Sequence, residues 1–331
     1  MKPADTLLLT RKDVAELLSL EECINAVEEA FTLYAQGHMQ PPKILGLHNQ
    51  KGGFHIKAGL LEKGASFFAA KMNANFPGNL KEYGLPTIQG VLIASDGENG
   101  QLLALMDSIE ITILRTGAAT AVAAKYLSLP EAKTATICGC GNQGAISLKA
   151  LMKVRSLEKV FAYDMDHSKA EKFAQALSGT LQVSVEAVND LRAGTLKSEI
   201  VVTCTPSKHA FLHGKDILPG TFIAAVGADN EDKQELAPEL LSENKVVTDL
   251  TDQCKSIGEL HHALATGLMS EGNVYAELGE IIAGKKPGRT APNEIIVFDS
   301  TGTALQDVAT AAIVYERALQ RKTGLTIDFT T

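Results

Sequence analysis

Residues 133–144, KTATICGCGNQG, constrain the fold more than any other stretch: a β-branched run leads directly into Gly139-Cys140-Gly141-Asn142-Gln143-Gly144. The residues that follow, 145–154, place Ile146, Leu148, Leu151, Met152 and Val154 on a stripe of helical period. A strand, a glycine-rich turn and a helix in this order are the signature of a dinucleotide pyrophosphate site, where a glycine run without that context reads equally as a loop. Gly139 permits the tight turn, Gly141 lets backbone approach the phosphates, and Gly144 lets the helix pack against its strand. The helix N-terminus, with Asn142 and Gln143 in its first turn, then turns N–H groups and a positive dipole end towards the anion. A second strand, 159–163, ends at Asp164, 20 residues past Gly144, where a βαβ nucleotide fold keeps the acid that binds the ribose hydroxyls. The Asp164 charge opposes a 2′-phosphate, and Met165, Asp166 and His167 supply no arginine to offset it, which favours NAD(H) over NADP(H).

With 331 residues, 45% hydrophobic and 21% charged, the chain has enough apolar material for two folded domains and argues against disorder. Its formal charge of −8 and lack of basic blocks disfavour nucleic acid and anionic membrane surfaces as partners. Cys23, Cys138, Cys140, Cys204 and Cys254 form neither a CxxC pair nor an even disulfide framework, as in a reducing compartment. Cys138 and Cys140 are expected to pack rather than react. No run reaches membrane-spanning length and the N-terminal segment has no leader pattern, so a cytoplasmic location is expected.

Ser19 and Glu22 have capping-box spacing, and Ile24, Val27, Ala30, Phe31 and Tyr34 continue on one helical face up to Gly37. From residue 43 to about 106, short alternating runs separated by glycine-rich turns predict a largely antiparallel sheet, with strands at 54–57, 66–72, 88–94 and 102–105. An alanine-rich helix, 109–127, leads into the nucleotide fold. Beyond Asp164 the strands predicted at 182–186, 200–204, 221–226, 245–248 and 294–299 alternate with helices near 168–177, 236–242 and 304–320, the rhythm of a parallel sheet. Helical segments near 256–265 and 276–283 are less sharply defined. The fold class expected is α/β: a Rossmann-type doubly wound parallel sheet over 116–303, plus an α+β domain with a mainly antiparallel sheet built from 1–115 and the returning segment 304–331.

Ligands of an open α/β sheet bind beyond the carboxyl ends of its strands. The residues there are the glycine turn, Asp164, Thr205-Pro206-Ser207, Gly227-Ala228-Asp229 and Ser300-Thr301-Gly302-Thr303. Asp229, in a glycine-bounded loop, reads either as a functional carboxylate or as a helix cap. Four cations, Lys43, Lys57, Lys71 and Arg115, interrupt or flank apolar runs. Each must snorkel, form an internal ion pair or bind an anion; as a group they read as a clamp for a carboxylate. Metal chemistry is disfavoured, since the histidines have no HxxxH or HExxH spacing and the adjacent pair His261-His262 is expected to diverge on a helix. No GxSxG elbow is present.

The stretches LPTIQGVLIASDGENGQLLALMD, LRTGAATAVAAKYL, GCGNQG, GADNEDKQEL and FDSTGTALQDVATAAIVYERA, in this order and spacing, resemble the ornithine cyclodeaminase and mu-crystallin family along nearly the whole chain. That resemblance implies a Rossmann domain plus a substrate and dimerisation domain, and a homodimer or larger assembly. It implies that Lys71 and Arg115 bind the substrate α-carboxylate, that Asp229 handles the substrate amine, and that Lys71 and Asp229 are the catalytic pair. Thr116, Gly141, Gln143, Asp164, Val226, Lys233 and Ser300 fall near the family's cofactor positions. Arg115 and Thr205 adjoin them. Lys43 stands where arginine is usual, so bidentate carboxylate binding is lost there; His55-Ile56-Lys57 replaces an apolar Met-Pro pair.

The expected reaction is hydride transfer between nicotinamide and the carbon bearing nitrogen in an amino or imino acid. A diamino acid would bring a second ammonium, whereas His55 and Lys57 add donors, so a short or acidic substrate is expected. The alternatives are cyclisation of ornithine to proline with loss of ammonia, and ligand binding without turnover, for which retention of Lys71, Arg115 and Asp229 together would be unneeded.

Overall fold

The computed structural model describes residues 5–329. Its elements begin with β1 (Asp5–Leu9), α1 (Arg11–Leu17), α2 (Leu20–Ala35), β2 (Lys43–Asn49), β3 (Gly52–Lys63), β4 (Ala65–Asn75), α3 (Asn79–Tyr83), β5 (Ile88–Asp96), β6 (Leu102–Asp107) and α4 (Ile109–Leu127). There follow β7 (Thr134–Cys138), α5 (Asn142–Val154), β8 (Lys159–Tyr163), α6 (His167–Leu181), β9 (Ser184–Ala187), α7 (Leu191–Thr195), β10 (Ile200–Thr203), β11 (Lys208–Leu212), β12 (Phe222–Ala225) and β13 (Gln234–Leu236). The chain ends with α8 (Pro238–Ser242), β14 (Lys245–Thr248), α9 (Thr251–Ile257), α10 (Glu259–Ala265), β15 (Ala276–Glu277), α11 (Leu278–Ile282), β16 (Ile296–Asp299), α12 (Ala304–Arg321) and β17 (Leu325–Asp328). Two compact units result, Met1–Arg115 with Thr303–Thr331, and Thr116–Gly302. No helix among the described residues is long and apolar enough to cross a membrane.

The first unit is built on a seven-stranded sheet, β17-β1-β6-β5-β4-β3-β2, antiparallel except for the β1–β6 pair. Helix α2 starts at the expected capping box: Ser19 accepts the Glu22 N–H, and the Glu22 carboxylate accepts the Ser19 N–H. Its Cys23, Ile24, Val27, Ala30 and Phe31 are buried. Helix α12 lies across β3 and β4, and Gly59 makes its close approach possible, since a Cβ there would come within 3.3 Å of the Ala304 carbonyl oxygen. One face of each strand is thereby covered, and alternation sends every second residue to that face.

The second unit carries an eight-stranded sheet, β15-β14-β16-β12-β10-β7-β8-β9, in which every pair is parallel. Strands β10, β12 and β16 are buried along their whole length, as the central strands of a sheet covered on both faces must be. From β7 the chain moves to β8 and β9 on one side and later returns to β10 on the other. That reversal makes the β7–β10 edge the topological switch point, where such sheets bind ligands.

Three expectations shift. The helix expected at 256–265 is two helices that meet at Gly258, which bridges them because the Asp299 carboxylate lies where its Cβ would be, 2.5 Å away. Residues 276–277 form the edge strand β15 before α11 begins. Strand β1, the edge strands β2 and β17 and the small parallel pair β11–β13 carry too few residues or too little alternation to announce themselves.

Gly144 is the tightest joint of the nucleotide fold: an added Cβ would lie 2.1 Å from the Gly139 carbonyl oxygen and 3.0 Å from Ile137. Gly144→Ala should therefore lower stability to urea by roughly 1–3 kcal/mol, the usual cost of overpacking. An unchanged unfolding midpoint would show that α5 can move away from β7.

Candidate active site

The glycine turn leaves β7 at Gly139, whose φ of +105° only glycine adopts readily and whose N–H is donated to the Tyr163 carbonyl. Gly141 caps α5 with no side-chain hydrogen bond, and nothing lies within 4 Å of where its Cβ would be. The first N–H groups of the helix consequently have no partner inside it and face open space. In the same turn, Gln143 Oε1 is buried with no hydrogen-bond partner among the described residues. An open glycine cradle, free helix N–H groups and an orphaned carbonyl fit a pyrophosphate-linked dinucleotide. Asp164 closes the turn: its Oδ2 accepts the Cys140 N–H at 2.9 Å and its Oδ1 the Asp166 N–H at 3.0 Å. The two turn cysteines carry no thiolate, because burial pushes Cys140 up to about 12, assisted by Asp164, and Cys138 well above its usual range.

The neighbouring strand ends are fastened by buried carboxylates. Glu235 Oε1 accepts the Thr205 N–H at 2.6 Å and its hydroxyl at 2.7 Å, while Oε2 accepts the Gly227 N–H at 3.0 Å. Asp249 accepts the Thr301 hydroxyl at 3.0 Å and the Gly302 N–H at 2.8 Å, and the Ser300 hydroxyl reaches it at 3.4 Å. Val226 is held by its N–H to Thr203. Thr205, Val226 and Ser300 thus form fixed walls at the β10, β12 and β16 strand ends.

Asp229 sits half-buried in the loop that joins β12 to β13. No helix begins there, which removes the capping alternative. Lys233 Nζ pairs with Asp229 Oδ1 at 2.6 Å, and the Lys233 carbonyl is 2.8 Å from His262 Nε2, so the loop carries a carboxylate held by a cation and anchored from α10. His261 and His262 do not diverge. Their rings meet edge-on at 5.1 Å, and His261 Nδ1 lies 3.2 Å from the Lys255 carbonyl.

In the first unit, Lys57 and Lys71 are direct cross-strand partners on the face covered by α12, and both are buried. Asp307 of α12 stands over them. Lys71 Nζ donates to Asp307 Oδ1 at 2.7 Å, Arg115 Nε to the same oxygen at 3.1 Å, and Arg115 Nη1 to Gln306 Oε1 at 3.0 Å. Burial and the neighbouring Arg115 pull Lys71 down to about 7 despite Asp307, while Lys71 and Arg115 keep the Asp307 carboxyl below its usual range against its burial. The internal ion pair is therefore real, but Arg115 and protonated Lys71 share the single Asp307 carboxylate, two cations on one anion. Lys43 is not part of it. As first residue of β2 it pairs with Ala58, so alternation places it on the opposite face of the sheet, where it is exposed.

The comparisons with known proteins decide the family. A sequence model of the ornithine cyclodeaminase/mu-crystallin family matches residues 4–322. The chain belongs to that family. It is 39% identical to an alanine dehydrogenase of Archaeoglobus fulgidus over 330 residues, 98% of this chain and 99% of that protein. An archaeal alanine dehydrogenase dimer with bound NAD superposes with a TM-score of 0.94 at 39% identity, covering 98% of this chain and 99% of that one. The Δ1-pyrroline-2-carboxylate reductase of Thermococcus litoralis, solved with NADH and L-proline, superposes with a TM-score of 0.92 at 35% identity over 97% of this chain and 100% of that one. An iminosuccinate reductase of Paracoccus denitrificans is 33% identical over 94% of this chain and 96% of its own length.

Sequence reasoning missed Asp307 and Gln306. Both lie on the stretch quoted for the family resemblance, and an acid interrupting the apolar stripe of α12 was the available signal. Asp307→Asn should cost about 3–5 kcal/mol, because it leaves buried cations without their counter-ion. In the parent chain, stability should rise as pH climbs from about 7 towards 10.5, where the unfolded chain still holds the proton that buried Lys71 has lost; Lys71→Met should flatten that slope. Chemical denaturation across pH reads both, and a slope unchanged in Lys71→Met would refute the assignment.

Proposed function

We propose that this family member is an NAD(H)-dependent oxidoreductase that interconverts an amino acid and its imino acid, with a short or acidic side chain. The observation that carries this reading is the pairing of the open dinucleotide turn with a buried cationic group that retains excess positive charge beside one acid. When bound, the nicotinamide supplies or accepts a hydride. Arg115 and protonated Lys71 bind and orient the substrate α-carboxylate, with Asp307 as the positioning residue that makes their burial tolerable. Asp229 hydrogen-bonds the substrate nitrogen and supplies or accepts its proton, and Lys233 holds that carboxylate in place. Gly139, Gly141, Asn142 and Gln143 take the pyrophosphate, Asp164 the ribose hydroxyls, and Thr116, Thr205, Val226 and Ser300 line the cofactor's path. Because Asp164 offers only acceptor oxygens, NAD(H) is favoured over NADP(H). A diamino acid would need an acceptor for its second ammonium, and the donors of Lys57 argue against that reading. A cytoplasmic setting suits this chemistry.

The experiment is NADH oxidation by the purified protein with pyruvate, glyoxylate, oxaloacetate or Δ1-pyrroline-2-carboxylate, with ammonium added for the keto acids. Turnover should fall about 100-fold or more in Asp229→Ala, the range of a lost general acid. Proline and ammonia from ornithine with only catalytic NAD would overturn the proposal.

A homodimer forms through the open face of the first sheet. Leu45, Leu47, Phe54, Met72 and Ile93 all fall on that face by register and remain 38–57% exposed. A contiguous apolar surface on a sheet is an association surface. The double variant Leu47→Lys/Met72→Lys should halve the mass measured by analytical ultracentrifugation, and a parent chain that sediments as a monomer would refute the dimer.

A further inference from the structure

The β2–β3 hairpin repeats one tripeptide pattern on its two strands, Gly46-Leu47-His48 and Gly53-Phe54-His55. The antiparallel register sets each histidine opposite the other strand's glycine, His55 against Gly46 and His48 against Gly53. The glycines make room for the rings. A Cβ on Gly53 would come within 2.1 Å of the His48 ring, and one on Gly46 within 3.2 Å of the His48 ring and 3.6 Å of the His55 ring. Seated in this way, the imidazoles meet with Nε2 to Nε2 at 2.9 Å. The two-residue turn between the strands is fixed by Asn49, whose Oδ1 accepts the N–H groups of Lys51 and Gly52. Two histidines whose Nε2 atoms share one hydrogen bond hold two ring protons when neutral and three when the pair carries one positive charge, and that singly cationic form keeps the bond.

The position of this pair on the sheet gives it a task. His55 lies two residues before Lys57 on β3, so both project from the same face, about 6.6 Å apart along the strand. Its cross-strand partner is Asn73, which lies two residues after Lys71. Asn73 is itself fastened, its Oδ1 accepting the Ser108 hydroxyl at 2.6 Å and its Nδ2 reaching Thr112 Oγ1 at 3.4 Å, over a Gly90 that has no room for a Cβ. The cationic row of Lys57 and Lys71 is therefore followed, one step along the strands, by a row of His55 and Asn73, with His48 beyond.

We propose that the His48–His55 pair binds the distal carboxylate of a dicarboxylic amino or imino acid whose α-carboxylate is held by Lys71 and Arg115. The proposal rests on the oxidoreductase reading above and adds its selectivity. His55 contacts the anion; His48 is a positioning residue that shares its proton and keeps the charge on the pair. The two groups lie on adjacent rows of one face, so a short diacid is the kind of substrate that can meet both. An ammonium at that place would instead meet the cationic pair and Lys57. The charged groups beside these rows are Lys57 and Lys71 from β3 and β4, Arg115 from α4 and Asp307 from α12; Asp96 of β5 shares the face by register but lies opposite Phe67, four residues beyond Lys71 on the side away from Asn73. Asp307 is engaged by Lys71 and Arg115.

The test compares L-aspartate with L-alanine as substrates for NAD reduction across pH 6 to 9 and reads the ratio of their kcat/KM values. Ionisations common to both amino acids, Lys71 and the substrate amine included, cancel in that ratio. The ratio should favour aspartate at low pH and fall as rising pH removes the extra proton of the pair. His55→Ala should lower it about ten- to a hundredfold, the worth of a hydrogen bond to a charged group, and abolish its pH dependence. His48→Phe should shift the pH profile of the ratio while retaining part of the selectivity. NADH binding, followed by fluorescence, reports that each variant is folded. Alanine turned over in preference to aspartate at every pH, or a ratio indifferent to His55→Ala, would overturn this inference and leave the oxidoreductase reading intact. If neither amino acid reduces NAD and no keto acid with ammonium oxidises NADH, the reading fails and the inference fails with it.

Discussion

One buried carboxylate organises the first unit. Asp307, near the end of the chain, receives Lys71 from the central region of the sheet and Arg115 from α4, and these hydrogen bonds close loops of 236 and 192 residues. Isolated, either cation would be prohibitively costly to bury, and the carboxylate alone would be no better. Together they are tolerated, and the arrangement is overdetermined in one respect: more positive charge is buried than one anion can neutralise. In the proposed function that excess is what binds the substrate carboxylate. A site of this kind is stable only because the C-terminal helix returns to the sheet of the N-terminal segment.

The second unit solves a different problem with less charge. Its parallel strands end in loops whose backbone N–H groups would have no secondary-structure partner. Glu235, Glu259, Asp249 and Asp299 accept those N–H groups from inside the fold, with no lysine or arginine among the partners their hydrogen bonds show. Burial raises Glu235, Glu259 and Asp299, the last to about 7. Such carboxylates fasten loops by hydrogen bonds rather than by ion pairs, which leaves the switch-point edge free of buried cations. In the proposed site a phosphate-bearing ligand would meet helix N–H groups and glycine geometry rather than a lysine cluster.

The apolar outer face and the polar inner face of the first sheet follow from the same alternation. A one-residue slip of β2 against β3 would move Leu45 and Leu47 inward, carry His48 outward and separate the two GxH tripeptides from their glycine partners. The Asn49 turn and the glycine seats therefore specify register as well as accommodating rings.

Much of this was legible in the residue order. The strand, glycine turn and helix around Gly139, the acid at Asp164, the parallel rhythm beyond it and the alternating texture of residues 43–106 are local patterns, set by φ requirements and side-chain period, and the family resemblance extended them to Lys71, Arg115 and Asp229. Local patterns do not reach across a chain. That Lys43 faces away from Lys57 depends on a strand register, and that Lys71 is paired depends on a helix more than 200 residues later, so neither follows from its neighbours in sequence. The histidines of the hairpin were visible as residues, but their meeting required the antiparallel pairing of β2 with β3. Sequence alone determined which elements form and what chemistry they carry; only the tertiary structure decided which of those groups share a face, because register and long-range burial are properties of the folded chain.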